Sequence, residues 1–116
     1  MEYIDEIAKT VCVKDKADNV IESQEFYLSK FPAVVGRKIM MKYSTSMVDI
    51  NSNYDANEEV MKLIMKYVRV ALPDGRKIAL ETQGLIDNHV KSAEMLAALE
   101  QEMLAYNFSF FRDGEA

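Results

Sequence analysis

An amphipathic pattern near the C-terminus most constrains the fold of this 116-residue chain. Apolar side chains recur there at steps of three and four residues, which places them on one face of a helix. The helix is predicted over residues 92–106 and runs without a linker into the aromatic segment 107–111. The apolar side chains of this C-terminal stripe and of its aromatic end are Leu96, Leu99, Met103, Tyr106, Phe108, Phe110 and Phe111.

The C-terminal stripe has two alternative roles, packing and binding. Most apolar helical faces pack into the core of their own domain. The aromatic end, however, lies close to a chain end, where domains usually fray into polar residues, and an apolar surface there suits a second protein. No catalytic pattern of comparable specificity occurs in the chain. All seven residues of the stripe are therefore predicted to be protein-binding, with core packing as the alternative.

Length and composition predict one globular domain that is not a nucleic-acid or membrane protein. The chain is too short for two separate cores, and its 49% of apolar residues suffices for one. The net charge of −5 disfavours nucleic acid and anionic membranes, because phosphate binding needs clustered lysine and arginine. No apolar stretch approaches the length of a membrane span.

Cysteine usage and the start of the chain predict an intracellular protein. Cys12 is the only cysteine, so an intramolecular disulfide is impossible and a reducing compartment is expected. The first six residues are acidic and lack the basic start and apolar run of a signal peptide.

The first half of the chain predicts one strand followed by two helices. Alternation of apolar and polar residues over 25–31 favours a strand, and Pro32 suits the start of the helix that follows. The buried face of that helix is expected to consist of Val35, Ile39 and Tyr43, widened by Val34 and Met41. Gly36 within the helix predicts a close contact. A helix over 58–70 is apolar nearly all round, which is typical of a central buried helix.

The second half of the chain predicts a turn, a short strand and two capped helices. Residues 72–76 have the composition of a turn, and 77–80 read as a strand paired with either 25–31 or 68–72. Thr82 is suited to cap a short helix over 83–91, and Ser92 is expected to begin the last helix. The fold class expected is α+β and mainly α-helical, a single small domain of about four helices with a short two-stranded β element. Residues 1–25 are expected to be an N-terminal arm of uncertain structure, and 26–116 the mainly helical domain.

Three patterns could carry chemistry, and each is better explained without it. Residues 49–57 alternate oxygen-bearing side chains as calcium loops do, but Tyr54 stands where glycine is needed and Val60 where a bidentate glutamate is needed. His89 is the only histidine and has no second histidine or cysteine nearby. Cys12 lacks the context of a nucleophile. No catalytic residue, metal site or cofactor is predicted.

Two segments together resemble the small tail assembly chaperones of long-tailed bacteriophages. The segment 26–37, Phe-Tyr-Leu-Ser-Lys-Phe-Pro-Ala-Val-Val-Gly-Arg, is similar to the aromatic-Pro-Ala-x-x-Gly start of that family's first main helix. The segment 80–90, Leu-Glu-Thr-Gln-Gly-Leu-Ile-Asp-Asn-His-Val, and the C-terminal stripe after it resemble the C-terminal part of the family. None of these motifs is catalytic, and residues 1–25 do not contribute.

The resemblance implies a non-catalytic assembly factor in the cytoplasm of an infected bacterial host. Such chaperones bind the tape measure protein, keep its apolar helices from aggregating, help to recruit the tail tube protein, and are absent from the mature virion. Because a tape measure protein is a long amphipathic helix, its chaperone needs an apolar groove or stripe. Self-association into a homo-oligomer is left open.

Two other hypotheses remain beside the chaperone. The chain could be a small structural subunit of a phage tail or head-completion complex, in which case it would be stoichiometric in purified particles. It could instead be an enzyme or metal-binding domain that uses His89 and the loop 49–57, although both motifs depart from what such chemistry needs.

Overall fold

The computed structural model describes residues 3–48 and 54–108, with the side chains of 42–57 outside the description. The described part contains an antiparallel sheet in the order β1-β2-β3-β4, together with four helices. The strands are β1 (Ile4–Lys14), β2 (Val20–Lys30), β3 (Val68–Ala71) and β4 (Lys77–Ala79). The helices are α1 (Ala33–Val48), α2 (Tyr54–Met65), α3 (Gln83–His89) and α4 (Ala93–Asn107).

The expected fold class, mainly helical with a two-stranded element, is wrong. The sheet has four strands and the domain is a mixed α+β fold. From sequence, residues 1–25 are expected to be an irregular arm. In the structure, residues 4–14 form β1 and residues 20–30 form β2, and these two strands account for most of the additional strand. The predicted helix over 58–70 ends at Met65, and its last apolar residues form β3.

The long β1–β2 hairpin is closed by a turn that Asp15 stabilises. The Asp15 carboxylate accepts hydrogen bonds from the backbone N–H groups of Ala17 and Asn19, both at 2.9 Å. Asp18 adopts a positive φ of 67°, which aspartate tolerates better than most residues. A side chain that bonds the backbone two and four residues ahead favours a turn over continued strand.

β4 and the turn that precedes it agree with the sequence prediction. β4 pairs with β3, which is one of the two pairings that the sequence leaves open. The turn between them is closed by a 2.7 Å bond from Leu72 N–H to the Arg76 carbonyl, and Gly75 supplies the positive φ of 92°. The predicted Thr82 cap is confirmed, since Thr82 Oγ1 accepts from Leu85 N–H at 3.2 Å. Ser92, predicted as the first residue of the last helix, is its cap, with Oγ accepting from Met95 N–H at 3.0 Å.

The core lies between the sheet and the helices. α4 crosses β1 and β2 and buries Met95, Leu99, Met103 and Leu104. Phe31 joins the end of β2 to this core, with its ring 5.6 Å from the Tyr67 ring and 5.9 Å from the Phe108 ring, centroid to centroid. The fully buried large side chains that complete the core are Val11, Phe26, Leu28, Ile39, Val60, Ile64, Met65 and Leu80.

Gly36 in α1 is a site where alanine should increase stability. A Cβ atom there would lie 3.5 Å from Phe31 Cβ and 3.9 Å from the Phe108 ring, which is ordinary van der Waals contact. We expect Gly36→Ala to raise the free energy of unfolding by up to about 1 kcal/mol, since alanine restricts the unfolded chain and favours helix. Urea denaturation measures the change.

Gly75→Ala is the matched control for Gly36→Ala. The positive φ of Gly75 strains any other side chain, so the same substitution should lower the free energy of unfolding by about 1 kcal/mol. If Gly36→Ala is destabilising as well, Phe31 and Phe108 lie closer to residue 36 than the distances of 3.5 and 3.9 Å given above.

Candidate protein-binding surface

The structure places the predicted binding residues mainly in the core. Leu99 and Met103 are fully buried, and Phe108 is 7% exposed. Leu96 and Tyr106 are half-buried and pack against the core. Phe110 and Phe111 lie outside the described residues. The described part of the C-terminal stripe therefore has the packing role, and its role in binding a second protein stays a prediction.

A different apolar surface is exposed on α1. Val34 is 82% exposed, Met41 56% and Met40 38%. Val34 and Met41 are one heptad apart, so they share a helical face, and Met40 adjoins it. These three residues are called the α1 patch below. Ile39 and the half-buried Val35 face inward as predicted from sequence, but the prediction that Val34 and Met41 widen this buried face is wrong.

A groove lies beside the α1 patch, between the start of α1 and the end of α4. It has a volume of about 300 Å³, and it is called the α1 groove below. Arg37 lines it and is exposed, as is the neighbouring Lys38, so cations flank an otherwise mostly apolar surface. The residues that line the groove are Phe31, Pro32, Ala33, Gly36, Arg37, Met40, Asn107 and Phe108.

Asn107 holds the two sides of the α1 groove together. Its Oδ1 accepts a hydrogen bond from Phe31 N–H at 2.8 Å, and its Nδ2 donates to the Ser29 carbonyl at 3.2 Å and the Met103 carbonyl at 3.0 Å. Beside it, Lys30 donates to the Tyr106 carbonyl and lies 3.9 Å from the centre of that ring. The last turn of α4 is thereby fixed to the junction between β2 and α1.

A charged cluster lies on the sheet surface, centred on Glu6. Arg69 donates two hydrogen bonds of 2.7 Å to the Glu6 carboxylate, and Lys77 donates one of 3.1 Å. The hydrogen bond from Arg69 is the main reason that the pKa of Glu6 lies below its ordinary value. Arg69 also lies 4.0 Å from the centre of the Tyr3 ring, and Lys77 the same distance from Tyr27.

The charged cluster ties the start of β1 to β3 and β4. Each charge in it has an opposite charge as a neighbour, and each of the two cations also lies over an aromatic ring, which is the arrangement of a structural ion-pair network. Sequence analysis misses the cluster because Glu6 and Arg69 are 63 residues apart, and no local spacing indicates such a pair.

The patterns considered for chemistry gain no partners in the described structure. His89 is half-buried, and its carbonyl accepts a hydrogen bond from the Gln24 side chain. Cys12 is exposed on β1. Residues 3–48 and 54–108 contain no group of three or more His, Cys, Asp or Glu side chains placed to hold a metal ion. The calcium-like loop 49–57 falls outside the described side chains.

Comparisons with protein-family models, with curated proteins and with solved structures find no match for this chain. In the part of the chain that the structure describes, every helix is too short or too polar to cross a bilayer. What the protein binds must therefore be inferred from its own surfaces.

Proposed function

We propose that this chain is a tail assembly chaperone of a long-tailed bacteriophage. It captures an apolar helix of the tape measure protein without catalysis and helps to recruit tail tube subunits. It acts in the cytoplasm of the infected bacterium and does not remain in the mature virion. The proposal is supported by the resemblance of segments 26–37 and 80–90 to that family, and by the exposed apolar surface of α1.

The observation that carries the proposal is the α1 patch beside the α1 groove. Val34 is the most exposed large apolar side chain described, and it shares with the exposed Met41 a face of α1 that the core does not cover. Met40 and Met41 are flexible and polarizable, which suits a surface that accepts several similar helices. An amphipathic helix laid into such a groove buries its apolar face, which is the usual way that grooves recognise helices.

Charge narrows the class of helix that fits the α1 groove. The exposed Arg37 and Lys38 flank the apolar residues, so acidic side chains beside the apolar stripe of the partner would meet opposite charge. Phe108, one of the residues predicted from sequence to bind, lines the groove and connects it to the aromatic segment that follows. The proposed binding site therefore combines Phe108 of the C-terminal stripe with α1.

Val34→Glu should weaken capture of the tape measure protein. A carboxylate in place of Val34 in the α1 patch would have to be desolvated by an apolar partner, so we expect roughly tenfold weaker binding. The tagged chain would be expressed with the tape measure protein of the source phage, and the captured protein quantified after purification. The unmodified chain and Val34→Glu should also be titrated with an isolated tape measure helix.

Ile21→Glu is the matched control for Val34→Glu. Ile21 is 59% exposed on β2, so the substitution adds the same charge to an exposed apolar site away from α1. It should leave capture unchanged. Equal loss in both variants, or none in Val34→Glu, would contradict binding at the α1 patch. Abundance of the chain in purified particles would instead identify a structural subunit.

A further inference from the structure

The first strand of the sheet has an open edge. β1 pairs with β2 alone, and within residues 3–48 and 54–108 no backbone group bonds to its other side. The β1–β2 pairing is regular from Ile7 to Val13 and irregular only beyond these two residues. Along this regular stretch, every second residue directs its backbone N–H and carbonyl outward, away from β2. Such a row is a template for another strand.

The regular part of the open edge of β1 has few of the features that usually prevent strand pairing. Monomeric proteins protect edge strands with proline, bulges, inward charges or short length. β4, at the opposite edge of the sheet, is three residues long and carries the exposed Lys77. The regular part of β1 has no proline, glycine or bulge and is rich in β-branched residues. Its one charge, Lys9, already pairs with Glu102 of α4 at 3.5 Å.

We propose that β1 pairs antiparallel with β1 of a second copy of this chain, across a two-fold axis at Thr10. Thr10 is the centre of the regular stretch, so this register pairs the whole of it. Ile7 then lies opposite Val13 of the second copy, and Lys9 opposite Val11. In an antiparallel pair, residues directly opposite each other lie on one face, so the helix-covered faces of the two sheets join.

A second copy suits this edge because the edge is self-complementary. A shallow pocket beside it is lined by Ile7, Lys9, Leu28, Glu102, Ala105 and Tyr106. Ile7 is 39% exposed at this pocket, and the opposing Val13 would cover it. The Lys9–Glu102 pairs of the two copies lie on the same face of the joined sheet, and the charge of each lysine is offset by its own acid partner at 3.5 Å.

Thr10→Lys tests this interface because it places two lysines directly opposite each other at the axis. Thr10 is exposed, and within its own chain it pairs with Glu25, so lysine is compatible with the folded monomer. Sedimentation over a series of concentrations should show a dimer for the unmodified chain. The dimer dissociation constant should rise at least roughly fivefold in Thr10→Lys. Circular dichroism would confirm that the variant is folded.

Ser23→Lys is the matched control, since Ser23 is exposed on the next strand and lies away from the axis. It should dimerise like the unmodified chain. As a second readout, Thr10→Cys in a Cys12→Ser background should crosslink between copies with a short bis-maleimide, whereas Ser23→Cys in that background should not. A chain that is monomeric at every concentration overturns the proposal. So does a dimer that Thr10→Lys weakens no more than Ser23→Lys.

Discussion

Replacement of Asn107 by alanine is expected to lower the free energy of unfolding by about 3 kcal/mol. The side chain makes three hydrogen bonds, to the Phe31 N–H and to the carbonyls of Ser29 and Met103. All three are partly buried, and alanine leaves the backbone groups of residues 29 and 31 without these partners. An unpaired buried polar group costs about 1–3 kcal/mol, so two such groups and a small cavity account for the expected value.

Asn107→Asp separates the contributions of the two halves of the amide. Aspartate keeps an acceptor for the Phe31 N–H but cannot donate to either carbonyl, so its destabilisation should differ from that of alanine. Asn88→Ala, at an exposed position of α3, is the control and should change stability by less than about 0.5 kcal/mol. Urea denaturation of the three variants gives the comparison. A loss below about 1 kcal/mol for Asn107→Ala would show that water replaces the amide.

The parts of this fold that are predictable from sequence depend on short-range chemistry. The turn at residues 72–76, the Thr82 cap and the extent of α4 to within one residue all follow from residues within four positions of one another. A side-chain oxygen that accepts from an N–H three residues ahead specifies a helix start whatever the rest of the chain does.

The parts that sequence misses depend on long-range pairing. β1 buries only Val11 and Val13, and the first half of β2 is exposed or half-buried, so most of the hairpin lacks a strong apolar alternation. The apolar run 60–70 fits a helix or a buried strand equally well, and the switch after Met65 is set by pairing of Val68 with Leu28.

The candidate site likewise has one part that is predictable from local sequence and one part that depends on long-range contacts. The apolar stripe of α4 is evident from its spacing, but spacing cannot tell whether a stripe faces the core or a partner. The same limit explains why Val34 is assigned to a buried face and is instead exposed, since the orientation of α1 is fixed by Phe31 and Phe108 at its start. Phe108 adjoins Gly36 across 72 residues of sequence, a contact that no local pattern indicates.

The pH dependence of stability should be dominated by Glu100 on α4. Burial raises the pKa of this carboxyl from 4.5 to about 7, and among the described residues no cation offsets it. A folded-state pKa above the unfolded value means that stability is full below pH 4.5 and falls until the pH passes about 7. Glu6 acts in the opposite direction: its lowered pKa gives stability above 4.5 that is lost in acid. Stability should therefore be greatest in mildly acidic solution.

Glu100→Gln should abolish the loss of stability between pH 5 and pH 8. Glutamine cannot ionise, so at pH 8 the variant should be more stable than the unmodified chain by about 2–3 kcal/mol, allowing for partial solvent access. At pH 4.5 the two should differ little, because the glutamate is then largely protonated in the folded state. Urea denaturation at several pH values measures both differences.

Glu94→Gln, at an exposed position in the first turn of α4, is the control for Glu100→Gln. Removing this acid should cost only a few tenths of a kcal/mol, through the helix dipole, and the cost should disappear when the acid is protonated. The two substitutions thus change stability in opposite directions at pH 8, although they remove the same charge from the same helix. If Glu100→Gln is no more stable at pH 8 than the unmodified chain, the carboxylate is hydrated or paired in solution, and α4 packs less closely around it than the structure describes.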